Sequence, residues 1–385
     1  MSRTSVLFYV QHLLGIGHLA RASRIARALI DSGMQVTLVT GGMPVPGFPG
    51  PDIPHLALPP VAAQEGAFKG LVDGDGQSVD VTYLEARTGQ LLNAYRRIKP
   101  DIVLIEAFPF GRRQMRFELL PLIEAIEATE PKPLLVSSLR DILQKGRRLD
   151  RDQETVDLVR RHFDLVLVHG DPTFAALGDS FALVDQISDK VAYTGLVCPP
   201  PPPMPTERFA VLVSAGGGAV GKDLVEAALG AAAEMPDLAP WCVITGPNMP
   251  QADFDALAAV APANVSLVRF RKDLASLMFG TQLSISQAGY NTVAEILQAG
   301  CRALLVPYSA QGETEQTDRA ALLERAGRVS VLHEENLTSA NLARAIRHAI
   351  AQPLSAKMLR IAVDGAAQSA HVLHGIVTEL RNRTS

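Results

Sequence analysis

At 385 residues, with 40 acidic against 36 basic side chains and a formal net charge of -4, the chain is too long for one ordinary core and lacks the basic excess that nucleic acid demands. Two α/β domains are expected, each burying roughly 70% of its unfolded surface. Three cysteines (Cys198, Cys242, Cys301) without metal-ligand spacing point to a reducing compartment. No apolar run reaches the ~20 residues of a membrane span, and the N-terminus starts directly on a strand with no signal-like core. A cytoplasmic protein is expected, with any membrane contact peripheral. Basic clusters at Arg112-Arg113-Arg116 and Lys145-Arg147-Arg148 read first as solvated faces.

The chain opens with a β-rich run, Ser5 to Val10, and a loop from Gln11 to His18. An amphipathic helix follows, with Leu19, Ala22, Ile25, Ala26 and Leu29 on one face and Gly33 as its stop. Gly15-x-Gly17-x-x-Ala20 is only the relaxed form of a dinucleotide fingerprint, and no acidic residue for a ribose follows the second strand, Gln35 to Thr40. A nicotinamide or flavin cofactor is therefore not expected. His18 stands at this strand-to-helix junction, where an imidazole titrating near neutrality suits a general base. Arg21 reads as loop support or a phosphate contact, since guanidinium stays protonated.

Residues 43–80, rich in Pro, Gly and Asp, predict long loops around a short strand from His55 to Leu58. Asp73-Gly-Asp75 and the pair Asp150 and Asp152 imitate metal-binding spacing, but the first lies in a glycine-rich turn with no strand before it, and no metal is expected. A helix from Val79 to Ile98 leads to a strand ending at Glu106. Further strands run from Pro133 to Ser137, ending in Arg140-Asp141, and from Asp164 to Val168, ending in His169-Gly170-Asp171. Polar groups at strand carboxyl ends face the binding crevice of a parallel sheet. Glu106, Arg140, Asp141, His169 and Asp171 are thus candidates for acceptor binding or for orienting His18, and each could instead cap a helix or pair with a neighbour.

After a strand from Val191 to Gly195, the proline run 199–205 marks a semi-rigid linker. The domains are expected at 1–198 and 206–360, with 361–385 a C-terminal helix that packs back on the first. The second domain repeats the opening: strand Phe209 to Ser214, glycine loop Gly216-Gly217-Gly218, helix Gly221 to Glu234. Strands from Trp241 to Thr245 and Val265 to Val268 precede a turn at Phe270-Arg271. Next come a strand from Leu283 to Ser286, a turn through Ala288-Gly289, a helix from about Thr292 to Ala299, a strand from Ala303 to Val306 and a polar loop after Pro307. A helix ending at Gly327, a strand from Val329 to Leu332, a helix from Ser339 to Ala351 and a last helix after Pro353 complete the chain. A strand that turns through glycine into a helix leaves N–H groups and the positive dipole end facing the crevice, an anion site suited to a diphosphate. Two readings of Glu295 stand level: a first-turn carboxylate accepting hydrogen bonds from a ribose diol, or the capping-box partner of Thr292.

The stretch from Gly289 to Gln316 resembles the donor half of the MurG-type family 28 glycosyltransferases, which share a Gly-x-x-Thr-Val-x-Glu-Ile turn-helix, then a Leu-x-Val-Pro strand, then a loop bearing a Gln pair. The matching residues are Gly289, Thr292, Val293, Glu295, Ile296, Gly300, Leu305, Val306 and Pro307, and the Gln pair reads Glu315-Gln316. The resemblance implies that Glu295 holds the ribose, that the turn from Ala288 through Gly289, Tyr290, Asn291 and Thr292 holds phosphates with the 216–218 loop, and that Gln316 reads the sugar beside Glu315. Backbone groups at Phe270 and Arg271 would edge the nucleobase. The loop from Gly15 through Gly17 and His18 to Arg21 resembles that of the PseG-type nucleotide-sugar hydrolases, whose histidine is the proposed base.

The implied architecture is GT-B, two Rossmann-like doubly wound α/β domains facing across a cleft. The implied activity is inverting, metal-independent transfer from a nucleotide-diphosphate sugar, most simply a UDP-sugar, to a hydroxyl on a saccharide, lipid-linked or small-molecule acceptor. A PseG-type hydrolase, a nucleotide-sugar 2-epimerase and a non-catalytic nucleotide-sugar binder share the scaffold, and fold alone does not choose among them.

Overall fold

The structure, a computed structural model, describes residues 3–13, 16–63, 70–145, 149–216, 221–352 and 360–384. Gly15, Arg147, Arg148, Gly217, Gly218 and Pro353 lie outside the described residues. The chain divides into two compact units, one comprising Met1–Pro172, Ala176–Val197 and Asp364–Ser385, the other Thr173–Ala175 and Cys198–Val363.

The first unit runs β1 (Ser5–Val10), α1 (Gly17–Asp31), β2 (Gln35–Thr40), β3 (His55–Ala57), a small hairpin of β4 (Ala62–Ala63) and β5 (Leu71–Val72), α2 (Val81–Ile98), β6 (Ile102–Glu106), α3 (Arg116–Glu127), β7 (Leu134–Arg140), α4 (Leu149–His162), β8 (Leu165–His169) and β9 (Val191–Tyr193). Its seven-stranded sheet has the order β3-β2-β1-β6-β7-β8-β9, every pairing parallel. Alternate residues of β1 enter separate cores. Leu7 and Tyr9 pack with Leu91 of α2, Leu119 and Leu122 of α3 and Val156 and Val159 of α4. Val6, Phe8 and Val10 pack with Ala22, Ile25 and Leu29 of α1. Burial on both faces is why these strands read as unbroken apolar runs rather than alternating ones.

The second unit runs β10 (Val211–Ser214), α5 (Lys222–Glu234), β11 (Trp241–Ile244), α6 (Gln251–Val260), β12 (Val265–Val268), α7 (Leu274–Gly280), β13 (Leu283–Ser286), α8 (Tyr290–Ala299), β14 (Ala303–Leu305), α9 (Glu315–Arg325), β15 (Ser330–Val331) and α10 (Ser339–Ala351). The sheet order is β12-β11-β10-β13-β14-β15, again all parallel. A final helix, α11 (Gly365–Thr384), belongs to the first unit, where Leu373 and Val377 join the core of α1. Both units are doubly wound. In each, the direction of winding reverses beside the first strand, between β1 and β6 and between β10 and β13, the point at whose carboxyl ends sheets of this kind bind ligands.

Several boundaries differ from expectation. β7 extends three residues beyond Ser137, so Ser138 and Arg140 are strand residues rather than loop residues. β14 stops at Leu305, one short of Val306, and α11 starts well beyond Pro353. The helices α3, α4, α6 and α7 have faint sequence signals. α4 buries Val156 and Val159 as its only aliphatic residues, and α6 buries Leu257 alone, so neither shows a full apolar stripe.

Candidate active site

In the first unit, the loops leaving β1 and β6 flank the winding reversal. Gly17 and His18 are the first two residues of α1, and Glu106 is the last residue of β6. His18 Nδ1 lies 2.8 Å from Glu106 Oε1 and 2.9 Å from Oε2. The Arg21 guanidinium also donates to Glu106 Oε1, so Arg21 supports the pair from one helical turn away. Glu106 is fully buried. Burial favours its neutral form, but His18, Arg21 and Arg112 outweigh that and hold the carboxyl well below the usual range. An ionised carboxylate only accepts hydrogen bonds, so Nδ1 carries the His18 proton and Nε2 presents its lone pair. Nε2 has no protein partner among the described residues and is open to solvent. Burial pushes the imidazole down to about 4, Arg112 and Arg21 push the same way, and Glu106 opposes them.

The approach to this loop is anchored from within. Arg87, fully buried, forms a two-pronged pair with Glu118 at 2.7 and 2.9 Å and donates to Gln11 Oε1 at 2.8 Å. Gln11 Nε2 in turn donates to the carbonyls of His12 and Val61. Neither Arg87 nor Gln11 stood out in the sequence, because a lone polar residue in a helix or after a strand has no motif.

The other strand-end residues take different parts. His169 is fully buried, with Nε2 2.7 Å from Ser138 Oγ and Nδ1 2.9 Å from Thr194 Oγ1, and burial pushes it down to about 3. Both ring nitrogens are taken, so His169 cross-links strands instead of facing a ligand. Asp141 is buried and accepts from the N–H of Ile142 at 2.8 Å, the turn-capping role. Asp171 is buried and Arg140 is half-buried at the end of β7. Asp73 accepts from the N–H groups of Asp75 and Gln77, which makes Asp73-Gly-Asp75 a turn. Asp152 is buried in the first turn of α4. Among the described residues no group of three His, Cys, Asp or Glu is placed to hold a metal ion. The basic cluster at 112–116 also divides: Arg113 and Arg116 both pair with Glu154, while Arg112 donates through Nε to the Gln11 carbonyl and its charge acts on His18.

In the second unit, the loops after β10 and β13 flank the reversal. Gly216 has φ +82°, and a Cβ there would stand 3.3 Å from Gln287 Oε1, so the two loops touch. α8 starts at Tyr290 with Gly289 as its N-cap and no side-chain cap. This corrects the capping-box reading: Thr292 is the third helical residue, and Glu295 sits in the second turn, not the first. Asn291, Thr292 and Glu295, at spacings of three and four, form a half-buried polar stripe on α8. Tyr290 is buried and its ring lies under the Arg319 guanidinium, so only its backbone remains for a ligand.

α9 clamps the turn. Gln316 Oε1 accepts from the N–H groups of Ala288 at 2.9 Å and Tyr308 at 3.2 Å. Arg319, fully buried, donates to the Ala288 carbonyl at 3.0 Å and to Glu315 Oε1 at 2.8 Å. Glu315, 5% exposed, is thus the counter-ion of Arg319, and its carboxylate does not project like a sugar reader. The Gln316 amide NH2 does remain open. After β12, Phe270 is 62% exposed, while Arg271 is held by Asp273 and Glu207.

Residues 211–373 match the family described as "Glycosyltransferase family 28 C-terminal domain". That stretch is therefore similar to the family 28 C-terminal domain. It begins at β10 and carries Gly216, the Gly289 turn, Glu295 and the α9 clamp. The chain is 34% identical over 151 residues to the UDP-N-acetylglucosamine--N-acetylmuramyl-(pentapeptide) pyrophosphoryl-undecaprenol N-acetylglucosamine transferase of an Exiguobacterium species, covering 38% of this chain and 40% of the relative. It is 25% identical over 336 residues to the enzyme of that name from Burkholderia cenocepacia, covering 86% and 84%. The first two relatives are matched over 40% and 41% of their length, so those alignments rest on a part of each protein. Among solved structures, the calicheamicin glycosyltransferase CalG4 superposes with a TM-score of 0.65 at 18% identity, covering 97% of this chain and 98% of that one. MurG of Acinetobacter baumannii gives 0.59 at 18%, covering 97% and 99%. These likenesses establish the fold as GT-B, with two Rossmann-like units; the family 28 match spans the second unit and the first turns of α11. Among the described residues no helix is long and apolar enough to cross a membrane.

Proposed function

We propose that this protein is an inverting, metal-independent glycosyltransferase that takes its sugar from a UDP-sugar. The observation that carries the reading is the pairing of His18 with Glu106, which leaves Nε2 as a free base at the winding reversal of one unit, while the other unit carries the family 28 turn. The acceptor hydroxyl gives its proton to His18 Nε2 as its oxygen bonds to the anomeric carbon. The bond from that carbon to the diphosphate oxygen breaks on the opposite face, and UDP leaves with the electron pair. Backbone N–H groups at the start of α8 and in the loop at Gly216 meet the charge growing on the leaving group, so the reading calls on no metal. Glu295 holds the ribose, Phe270 edges the base and the open amide of Gln316 reads the sugar. The names of the relatives, which pair a UDP-sugar with a pyrophosphoryl-undecaprenol acceptor, support a UDP-linked donor and a lipid-linked acceptor.

The test is calorimetric titration of UDP, GDP, dTDP and ADP into wild type and Glu295→Ala. UDP should bind best, and the variant should lose about 1–3 kcal/mol of that affinity. Failure of every nucleotide to bind, or equal binding by the variant, would overturn the donor assignment.

A further inference from the structure

Arg112 occupies a loop held in an uncommon backbone shape. Ala107 and Arg112 have φ of +64° and +58°, and with Lys99 at the end of α2 they are the non-glycine residues of positive φ among those described. Both flank the turn that leaves Glu106. The half-buried Arg112 side chain donates through Nε to the Gln11 carbonyl at 2.7 Å. Its two Nη groups have no protein partner among the described residues, and they reach solvent. Burial is the largest influence and disfavours its charge, Glu106 opposes that, and Arg140 and Arg21 add repulsion, so that the group is held below its ordinary value. Glu106 is already shared by His18 and Arg21. A planar guanidinium anchored through Nε, with both Nη groups open on the loop that leaves Glu106, is a receptor for an oxyanion.

We infer that the acceptor carries an oxyanion that seats on Arg112, and that its arrival is what makes His18 an effective base. The inference rests on the transferase reading and deepens it. The charged groups felt by His18 are Glu106 from β6, Arg21 from α1 and Arg112 from the following loop. With Arg112 empty, its charge adds to the burial that already opposes the imidazolium, so water or a neutral alcohol is deprotonated less well. An oxyanion on Arg112 cancels that charge and lets Nε2 take the proton. Recognition and activation are then one electrostatic event, which protects the donor from hydrolysis until the acceptor binds.

The experiment uses the full chain with isotopically labelled histidine, following His18 by NMR while methyl phosphate or acetate is titrated in, with UDP present to occupy the donor site. In wild type the anion should raise the His18 midpoint by about one pH unit, a tenfold change in protonation. In Arg112→Met the midpoint should start higher and not respond, and in Arg112→Lys, which keeps the charge and guards against a folding defect, the response should return in part. A response to methyl phosphate alone assigns a phosphate ester, and to acetate alone a carboxylate. No response in wild type, or an undiminished one in Arg112→Met, overturns the inference. So does an equal loss of UDP affinity in Arg112→Met, because the anion would then be the donor's. UDP failing to bind at all marks failure of the donor assignment instead, since the methyl phosphate response is still read.

Discussion

His18 Nδ1 and Glu106 Oε1 lie 2.8 Å apart across 88 residues of sequence. The contact decides which ring nitrogen is the base. His18→Ala should lower kcat by about 10²–10⁴-fold while leaving UDP affinity intact. Glu106→Gln should cost at least about 10²-fold, because an amide can donate to Nδ1 and stabilise the wrong tautomer. Steady-state kinetics beside UDP calorimetry separates these outcomes from a loss of donor binding, and a thermal melt checks that unpairing Arg21 has not unfolded the unit.

The same pair sets a pH profile. Burial holds His18 neutral down to about 4, so the acid limb of kcat/KM should fall near 4 and not near 6.5. Once an anionic acceptor is bound, the limb of kcat should lie higher than that of kcat/KM. Coincident limbs would leave Arg112 without a role.

Gly289 offers a separation of fold from function. Its φ of -63° suits any residue, and a Cβ there would meet nothing within 4 Å. Gly289→Ala should therefore fold as wild type yet weaken UDP about tenfold or more, because the methyl group fills the space a phosphate needs. Unchanged UDP binding would show that the turn does not touch the diphosphate.

Glu315 and Arg319 should behave as a buried pair. Removing one partner leaves the other charged and unsatisfied, so Arg319→Met should destabilise the protein by about 3–5 kcal/mol in denaturant unfolding. Glu315→Gln should lower stability and weaken the donor through the Ala288 turn, with no change in which sugar is preferred. A switch in sugar preference would restore Glu315 as a reader.

Stability should also fall in acid. His169 and His18 are held neutral at pKa values of about 3 and 4, below the unfolded value near 6.5. Between those limits the unfolded chain binds more protons, so the free energy of unfolding rises with pH and is lost as pH falls from about 6.5. Urea titrations at pH 7, 6, 5 and 4 should show the midpoint dropping. Replacing His169 by Asn should flatten part of that drop.

How much of this was written in the chain follows from the range of the forces involved. Apolar runs of strand length ending in glycine or a polar residue set out the doubly wound order, since strands buried on both faces and glycine stops are local chemistry. Ser5–Val10, Leu283–Ser286 and the turn at Gly289 could be read in place, and His18 and Glu295 stood within short motifs. The start of α8 could not, because the capping-box pattern at Thr292 and the bare glycine cap at Gly289 are both locally acceptable, and the turn is settled by Gln316 and Arg319 reaching back from α9. Likewise, three basic residues at 112–116 look alike in sequence; Glu154, on another helix, takes Arg113 and Arg116 and leaves Arg112 for the site. Residue types and periodicity thus determined the layers and the glycine turns. Which carboxylate orients His18, which arginine stays unpaired and which of Glu315 and Gln316 keeps an open face were decided by packing, because each depends on a partner that sequence distance hides and only the closed sheet brings within hydrogen-bonding range.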